Sequence, residues 1–421
     1  MTFDSQRLRL NDVANIVGGG TPSTSNAEYW GGNIPWLTPK DLSSNNEVYV
    51  AGGERYISKK GLQESSAKLL PTGSVLFSSR APIGYIAIAK NEIATNQGFK
   101  SLKVNNEHNN IYFYYLLKHL TPYIQSIATG STFKEISGND LGTIEVDVPS
   151  LNIQKKISHC LLTLDKKISN LRAINQTLES IAQAIFKSWF IDFDPVRAKQ
   201  QGKECAGIDK ATADIFPNSF VESELGLIPK GWTVVSFKEV IEIYDSKRIP
   251  LSSRERQTRK GGFPYYGAAS IMDYIDDYIF EGTFLLMGED GTVVNTNNNP
   301  VLQYVSGRFW ANNHAHVLQG KNNVSTEHIM LFLQRLNIQP YLTGAVQLKI
   351  SQTNLWRIKF LLSSKNILNA FNNLTTPIFS KLLCNIGQIK TLTSIRDTLL
   401  PRLISGKLDL SNIEEELEGI A

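Results

Sequence analysis

Between Leu151 and about Asp192 the chain contains neither Pro nor Gly, and its apolar side chains recur with a period of seven. One set is Ile157, Leu164, Leu171, Leu178 and Ile185, and the interleaved set is Leu161, Ile168, Asn175, Ala182 and Trp189. A stripe this narrow, sustained over more than four heptads, predicts a helix that seeks a partner helix rather than a broad core. At 1.5 Å per residue such a helix spans roughly 50 Å and acts as a spacer.

The partner lies in the same chain. A shift of 214 residues places Thr129-Gly130 on Thr343-Gly344, Ile136-Ser137 on Ile350-Ser351, Leu141 on Leu355 and Ile144 on Ile358. The same shift sets the first apolar series on Phe371, Ile378, Asn385, Leu392 and Leu399, and the second on Thr375, Leu382, Ile389, Arg396 and Leu403. The chain is therefore a duplication, and each half has a Gly- and aromatic-rich mixed segment followed by a seam helix. Two like helices facing across a pseudo-two-fold axis run antiparallel, which predicts globular segments at opposite ends of a rod. The expected fold class is α+β, with two mixed α/β domains separated by two long antiparallel coiled-coil helices. Asn175 and Asn385 interrupt the two seams, and in a centred antiparallel register, where facing index numbers add to about 560, they meet. Two such amides fix the register, because a buried polar pair is satisfied in one alignment only; the competing reading is an amide on a wet seam edge.

Internal order divides the 421 residues into a mixed domain at 1–150, the seam helix at 151–192, a connector at 193–228, a second mixed domain at 229–363, the second seam helix at 364–406 and an acidic tail at 407–421. Pro122 is expected to end a helix beginning near Asn109, and Pro377 to kink or restart the second seam helix. Within the repeat, Phe237 to Ile243 corresponds to Leu10 to Ile16, Phe263-Pro264-Tyr265-Tyr266 to Ile34-Pro35-Trp36-Leu37, Gly282 to Met287 to Gly73 to Ser78, and Ala311-Asn312-Asn313-His314 to Ala94-Thr95-Asn96-Gln97. Framework positions match while the loops GGGTPS against YDSKRIP, and SSRAPIG against GEDGTVV, differ in charge and shape. One scaffold used twice with different loops predicts two different targets.

Hydrophobic residues make up 42% of the chain, yet no apolar run reaches membrane-spanning length, and the start MTFDSQRLRL lacks a signal-peptide core. Cys160, Cys205 and Cys384 are scattered without CxxC spacing, as in a reducing, cytoplasmic compartment. A net charge of +4 neither requires nor excludes nucleic acid.

Phosphate loops, dinucleotide fingerprints and the Asp/Asn-Pro-Pro-Tyr of amino-methyltransferases are all missing, which argues against a motor or methylase. His314 and His316 fall on one face of a strand like half a metal site, against the reading of structural or DNA-contact histidines, and Glu289-Asp290 offers two carboxylates that a nuclease uses for Mg²⁺, against a plain loop between strands. The alternative reading, a self-contained DNA methylase or nuclease, would rest on that carboxylate loop. The polar loops carry a stronger pattern. Lys40, Ser78, Ser79, Arg80, Asn96, Gln97, Thr132 and Lys134 in the first half are residue types that bond phosphates and base edges; Lys247, Arg248, Arg254, Arg256, Asn312, Asn313, His314 and Gln347 recur at similar places in the second. No residue is assigned as a metal ligand or catalytic group.

With two variable domains, two seam helices and the phrases FKSWFIDFDPVRAK (Phe186 to Lys199), SELGLIPKGW (Ser223 to Trp232) and IRDTLLPRLISGKLDL (Ile395 to Leu410), the chain resembles, over essentially its whole length, the specificity subunits of type I restriction-modification systems. The resemblance implies that the mixed domains are target-recognition domains, each reading one half of a split, asymmetric site in double-stranded DNA. It implies that the paired helices fix the gap between the words and dock two methylation subunits, which associate with restriction subunits. It places S-adenosylmethionine, ATP and Mg²⁺ in those partners and none on this chain, which is then not itself an enzyme. Reading residues vary with target in that family, so the residues named above rest on type and loop placement. Exposure of the seam end at Trp189-Phe190 would mark partner docking, against the competing reading of core burial.

Overall fold

The computed structural model describes residues 3–43, 45, 47–130, 134–344 and 347–408. Thr132 and most of the acidic tail, with Glu414, Glu415, Glu416 and Glu418, lie outside these residues. The chain forms two compact units, Met1–Ala173 with Ile386–Ala421, and Ile174–Asn385. Each contains one mixed α/β body and a portion of both long helices, which span Leu151–Phe190 and Lys365–Ile404.

The strands of the first unit are β1 (Ser5–Arg9), β2 (Ala14–Gly18), β3 (Trp30–Leu37), β4 (Tyr49–Val50), β5 (Arg55–Ile57), β6 (Val75–Ser79), β7 (Ile83–Ala89), β8 (Ala94–Thr95), β9 (Lys100–Val104) and β10 (Glu145–Pro149). They build a sheet in the order β2-β9-β6-β7-β4, a second in the order β5-β3-β8, and the antiparallel pair β1-β10. Every residue of β6 is buried, as its run of Val, Leu and Phe without alternation predicts for a strand covered on both faces. The Asn110–Ile127 helix packs on β6 and β7. Asn109 caps it, its side chain accepting from the Tyr112 N–H at 2.9 Å. Pro122 does not end this helix: the ring sits on the exposed side, while Ile124 beyond it is fully buried. The two long helices meet antiparallel in this unit, with Ile157, Cys160 and Leu161 of one sharing a core with Leu400, Leu403 and Ile404 of the other. At seam position Arg396 the guanidinium reaches the Asp165 carboxylate at 2.6 Å, and the Tyr115 hydroxyl donates to the other oxygen of that carboxylate at 2.6 Å. Burial alone would lower the Arg396 pKa, but Asp165 and Asp397 more than reverse it.

The second unit contains β11 (Phe220–Ser223), β12 (Gly226–Pro229), β13 (Thr233–Ser236), β14 (Ile241–Ile243), β15 (Lys260–Tyr266), β16 (Ile271–Ile275), β17 (Phe280–Gly288), β18 (Leu302–Ala311), β19 (Ala315–Gly320) and β20 (Lys359–Leu362). One sheet has the order β14-β19-β17-β18-β15-β16, and β11-β12 and β13-β20 are separate pairs. Pro377 leaves the C-terminal helix unbroken, because it too faces solvent while Thr375, Phe379 and Leu382 bury the opposite side. Trp189 and Phe190 are 2% and 6% exposed and pack against Phe371, beside Phe216 and Trp232, so core burial accounts for them and the docking reading is withdrawn. The amides of Asn175 and Asn385 meet at 2.8 Å.

Strand register reveals the repeat residue by residue. Leu8 faces Val146 and Val235 faces Phe360 in the closing pairs, and the Leu10 N–H to Ile144 carbonyl bond recurs as Phe237 to Ile358. Trp36-Leu37 lies parallel to Ala94-Thr95, and Tyr265-Tyr266 lies parallel to Trp310-Ala311. Ala311 is therefore the counterpart of Thr95, one position away from the expected match. Asn312, rather than Asn313, is the counterpart of Asn96.

Candidate nucleic-acid interface

In the first unit a shared framework gathers several of the expected residues. The Asn96 N–H donates to the Leu37 carbonyl, and its side chain accepts from the Gly98 N–H at 2.9 Å, folding a tight turn. Ser79 donates its N–H to the Gly98 carbonyl at 2.7 Å and its carbonyl accepts from Ile136. Thr129 and Glu135 exchange two backbone bonds, closing the loop between them. Arg80 and Glu135 lie across from each other in a bridge, with the guanidinium 3.5 Å from the carboxylate, which Lys100 also approaches at 3.4 Å. Lys134 is exposed and reaches the Gln125 carbonyl, Gln97 is exposed and accepts from the Thr21 hydroxyl, and Lys40 is exposed beside Glu54.

Ser78 and Ser79 require correction as surface donors. Both are fully buried; Ser78 spans the Pro82 carbonyl and the Tyr85 N–H, and Ser79 donates to the Gly98 carbonyl. They hold the backbone at the turn that presents Arg80.

The second unit repeats this framework with other side chains. Asn312 donates its N–H to the Tyr266 carbonyl and accepts from the His314 N–H at 2.8 Å; it is buried, so it shapes the turn and does not face a base. Glu289 takes the place of Ser79, donating to the His314 carbonyl and accepting from Ile350. Thr343 and Lys349 close the second loop, and Asp290 bridges Lys349 where Arg80 bridges Glu135. Charge is thus reversed at both bridge positions.

Arg248 also departs from expectation. Its side chain is 11% exposed and bonds Glu289 at 2.7 Å and the Ala315 carbonyl at 2.6 Å, with Asp245 at 3.4 Å. Buried charge needs compensation of this kind. Arg256 is likewise turned inward, donating to the Leu251 carbonyl at 2.6 Å and lying over the Tyr265 ring. Lys247, Arg254, Asn313 and Gln347 remain exposed.

Asp245, Glu289 and His316 place ligand-type atoms within 4.8 Å of one another. Their bonding is already committed. His316 Nδ1 meets Asp245 at 2.6 Å and Nε2 meets the Ile350 carbonyl at 2.9 Å, so both ring nitrogens face oxygen acceptors and neither lone pair is presented to a cation. Burial acts to raise the Asp245 pKa, but bonds from His316, Gln352 and the Val317 N–H leave it lowered. Glu289 and Asp290 do not converge, since one serves Arg248 and Lys349 and the other holds His314. The carboxylate loop is a structural ion cluster, and the nuclease reading loses its site.

Sequence reasoning missed Glu135, Lys349 and Lys100, because their importance comes from bridges between strands remote in the chain. It also missed Arg55, whose guanidinium stacks 3.4 Å over the Trp30 ring.

A profile described as the type I restriction modification DNA specificity domain matches residues 4–180 and 229–373, one match on each half of the repeat. The chain belongs to the type I restriction-modification DNA specificity family. It is similar to the type I restriction enzyme MjaIX specificity subunit of Methanocaldococcus jannaschii, 32% identical over 96% of this chain and 94% of that one. It also resembles the HindI specificity subunit of Haemophilus influenzae, 26% identical over 89% and 94% of the two chains. In fold it matches the crystal structure of a type I restriction-modification S subunit from M. genitalium, with a TM-score of 0.57 and 17% identity over 95% and 96% of the chains. Specificity subunits are the non-catalytic, DNA-recognising component, with catalysis in other subunits. Among the described residues of this specificity subunit, no helix is long and apolar enough to cross a membrane.

Proposed function

We propose that this specificity subunit reads a split, asymmetric sequence in double-stranded DNA, one short word for each half of the repeat, in the cytoplasm. Its long helices set the number of unread base pairs and dock two methylation subunits, through which restriction subunits join. The partners supply the chemistry, methylating an adenine at N6 with S-adenosylmethionine or cutting unmodified DNA with ATP and Mg²⁺.

One observation carries the reading. The backbone closures around Asn96 and Asn312, and around the 129–135 and 343–349 loops, are the same, while the side chains at 80 and 290, and at 135 and 349, have opposite charge. A conserved backbone cradle with exchanged polar side chains suits two readers of different words.

The test is genome-wide mapping of N6-methyladenine in cells containing this subunit and its methylation partner, beside cells lacking this chain alone. A split motif that disappears with the chain is the expected result. Replacing residues 1–150 by those of another family member should then change one word only; a change in both words would overturn the two-reader arrangement.

A further inference from the structure

The two units differ at one place by a coupled pair of changes. On the matched framework, Arg80 is replaced by Asp290 and Gly98 by His314, while the surrounding backbone bonds persist. In the first unit the guanidinium turns to Glu135 and the turn opposite has no side chain. In the second, the Asp290 carboxylate is largely buried, at 17% exposure, and accepts from Nδ1 of His314, whose side chain is 44% exposed. A carboxylate can only accept, so Nδ1 carries the proton; in the neutral ring Nε2 is then an acceptor. Asn313, the neighbour in the turn, is exposed.

We propose that Asp290 and His314 form one base-reading unit of the second half, with Asp290 fixing the ring and His314 Nε2 accepting from the exocyclic amino group of adenine or cytosine. The reading rests on the proposed function of the chain. Amino groups at N6 of adenine and N4 of cytosine are the donors that the major groove displays, and a held acceptor selects them against the carbonyl oxygens of guanine and thymine. Asp290 is a positioning residue, since it acts on the base only through the ring. The first half, with Arg80 at the bridge and Gly98 in the turn, offers donors there instead. The two words are thereby read with opposite hydrogen-bond character from one framework position.

The experiment maps N6-methyladenine made by the complete complex carrying His314→Ala, His314→Gln or Asp290→Asn. His314→Ala is expected to relax one base pair of one word, with methylation of the mismatched sites rising on the order of 10-fold relative to wild type, the scale of one mismatch. Asp290→Asn should relax the same base pair by a smaller factor. His314→Gln, which keeps an acceptor and the turn, should retain more discrimination and guards against an unstable alanine variant. Unaltered motifs in all three variants, or uniformly weaker methylation with both words intact, would overturn the assignment. Absence of any split motif from the wild-type complex would instead overturn the proposed function itself.

Discussion

Asn385 Nδ2 donates to Asn175 Oδ1 at 2.8 Å, and the Oδ1 of Asn385 is itself buried without a hydrogen-bond partner among the described residues. Asn175 also approaches the Leu382 carbonyl at 3.4 Å. The pair is therefore one donor short of satisfaction. An unmet buried acceptor costs roughly 1–3 kcal/mol, so the amides are retained at the expense of stability.

The double variant Asn175→Leu with Asn385→Leu is accordingly expected to melt at or above the wild-type temperature, whereas Asn385→Leu alone should lose about 1–2 kcal/mol by stranding Asn175. Denaturant unfolding of the four corners of that cycle measures the coupling. A double variant less stable than either single one would show that the amides stabilise the seam.

The buried pair of Asp165 and Arg396 behaves differently, because Tyr115 and Asp397 complete its bonding. Arg396→Met should leave Asp165 partly unpaired and cost about 3–5 kcal/mol, and Tyr115→Phe about 1 kcal/mol. Chemical denaturation checks both; a larger loss from Tyr115→Phe than from Arg396→Met would mean that Tyr115, not the ion pair, holds this part of the seam.

His328 gives the second unit a pH dependence. Its side chain is wholly buried among Phe186, Phe190, Phe360 and Phe371, and Nδ1 has no partner among the described residues. Burial holds its pKa down to about 3. The unfolded value is near 6.5, so between those values the unfolded chain binds the extra proton and stability falls as pH drops. Moving from pH 7.5 to pH 5 should remove about 2 kcal/mol, at roughly 1.4 kcal/mol per pH unit below the unfolded value. His328→Leu should flatten this dependence, read from melts at both pH values.

Lys40 and Lys134 are exposed cations on the first half, suited to phosphates rather than bases. Replacing either with Ala in the assembled complex should weaken DNA binding at all sequences alike and reduce the salt slope by about 0.9 per lost contact. Binding titrations across salt concentrations measure it. Arg80→Ala should instead relax one base pair of the first half's word, and a purely uniform loss would place Arg80 on the phosphates.

The seam was legible from sequence because period seven survives in isolation, as Ile157, Leu161, Leu164 and Ile168 show, all of them buried. Framework matches such as Leu10 with Phe237 were legible because the duplication keeps apolar residues in the same order in both halves. Pro122 and Pro377 misled because residue type alone does not say which side of a helix faces water, and both rings are on the exposed side. The one-residue offset at Asn312 is visible only in strand register, where Tyr265-Tyr266 pair with Trp310-Ala311. Among the site residues, chemistry identified the polar loops but not their direction. Ser78, Ser79, Arg248 and Asn312 have the polarity of readers, yet each spends it on the protein's own backbone or charges.

In each unit the strand that opens the α/β body pairs with the strand that closes it, β1 with β10 and β13 with β20. The body is thus inserted into the remainder of the chain through two adjacent points, like a cartridge with both contacts on one side. Two joins, one in each of those paired strands, would therefore replace a whole body without rewriting either helix. Under the proposed function, such a replacement is expected to change one word and leave the other as it was.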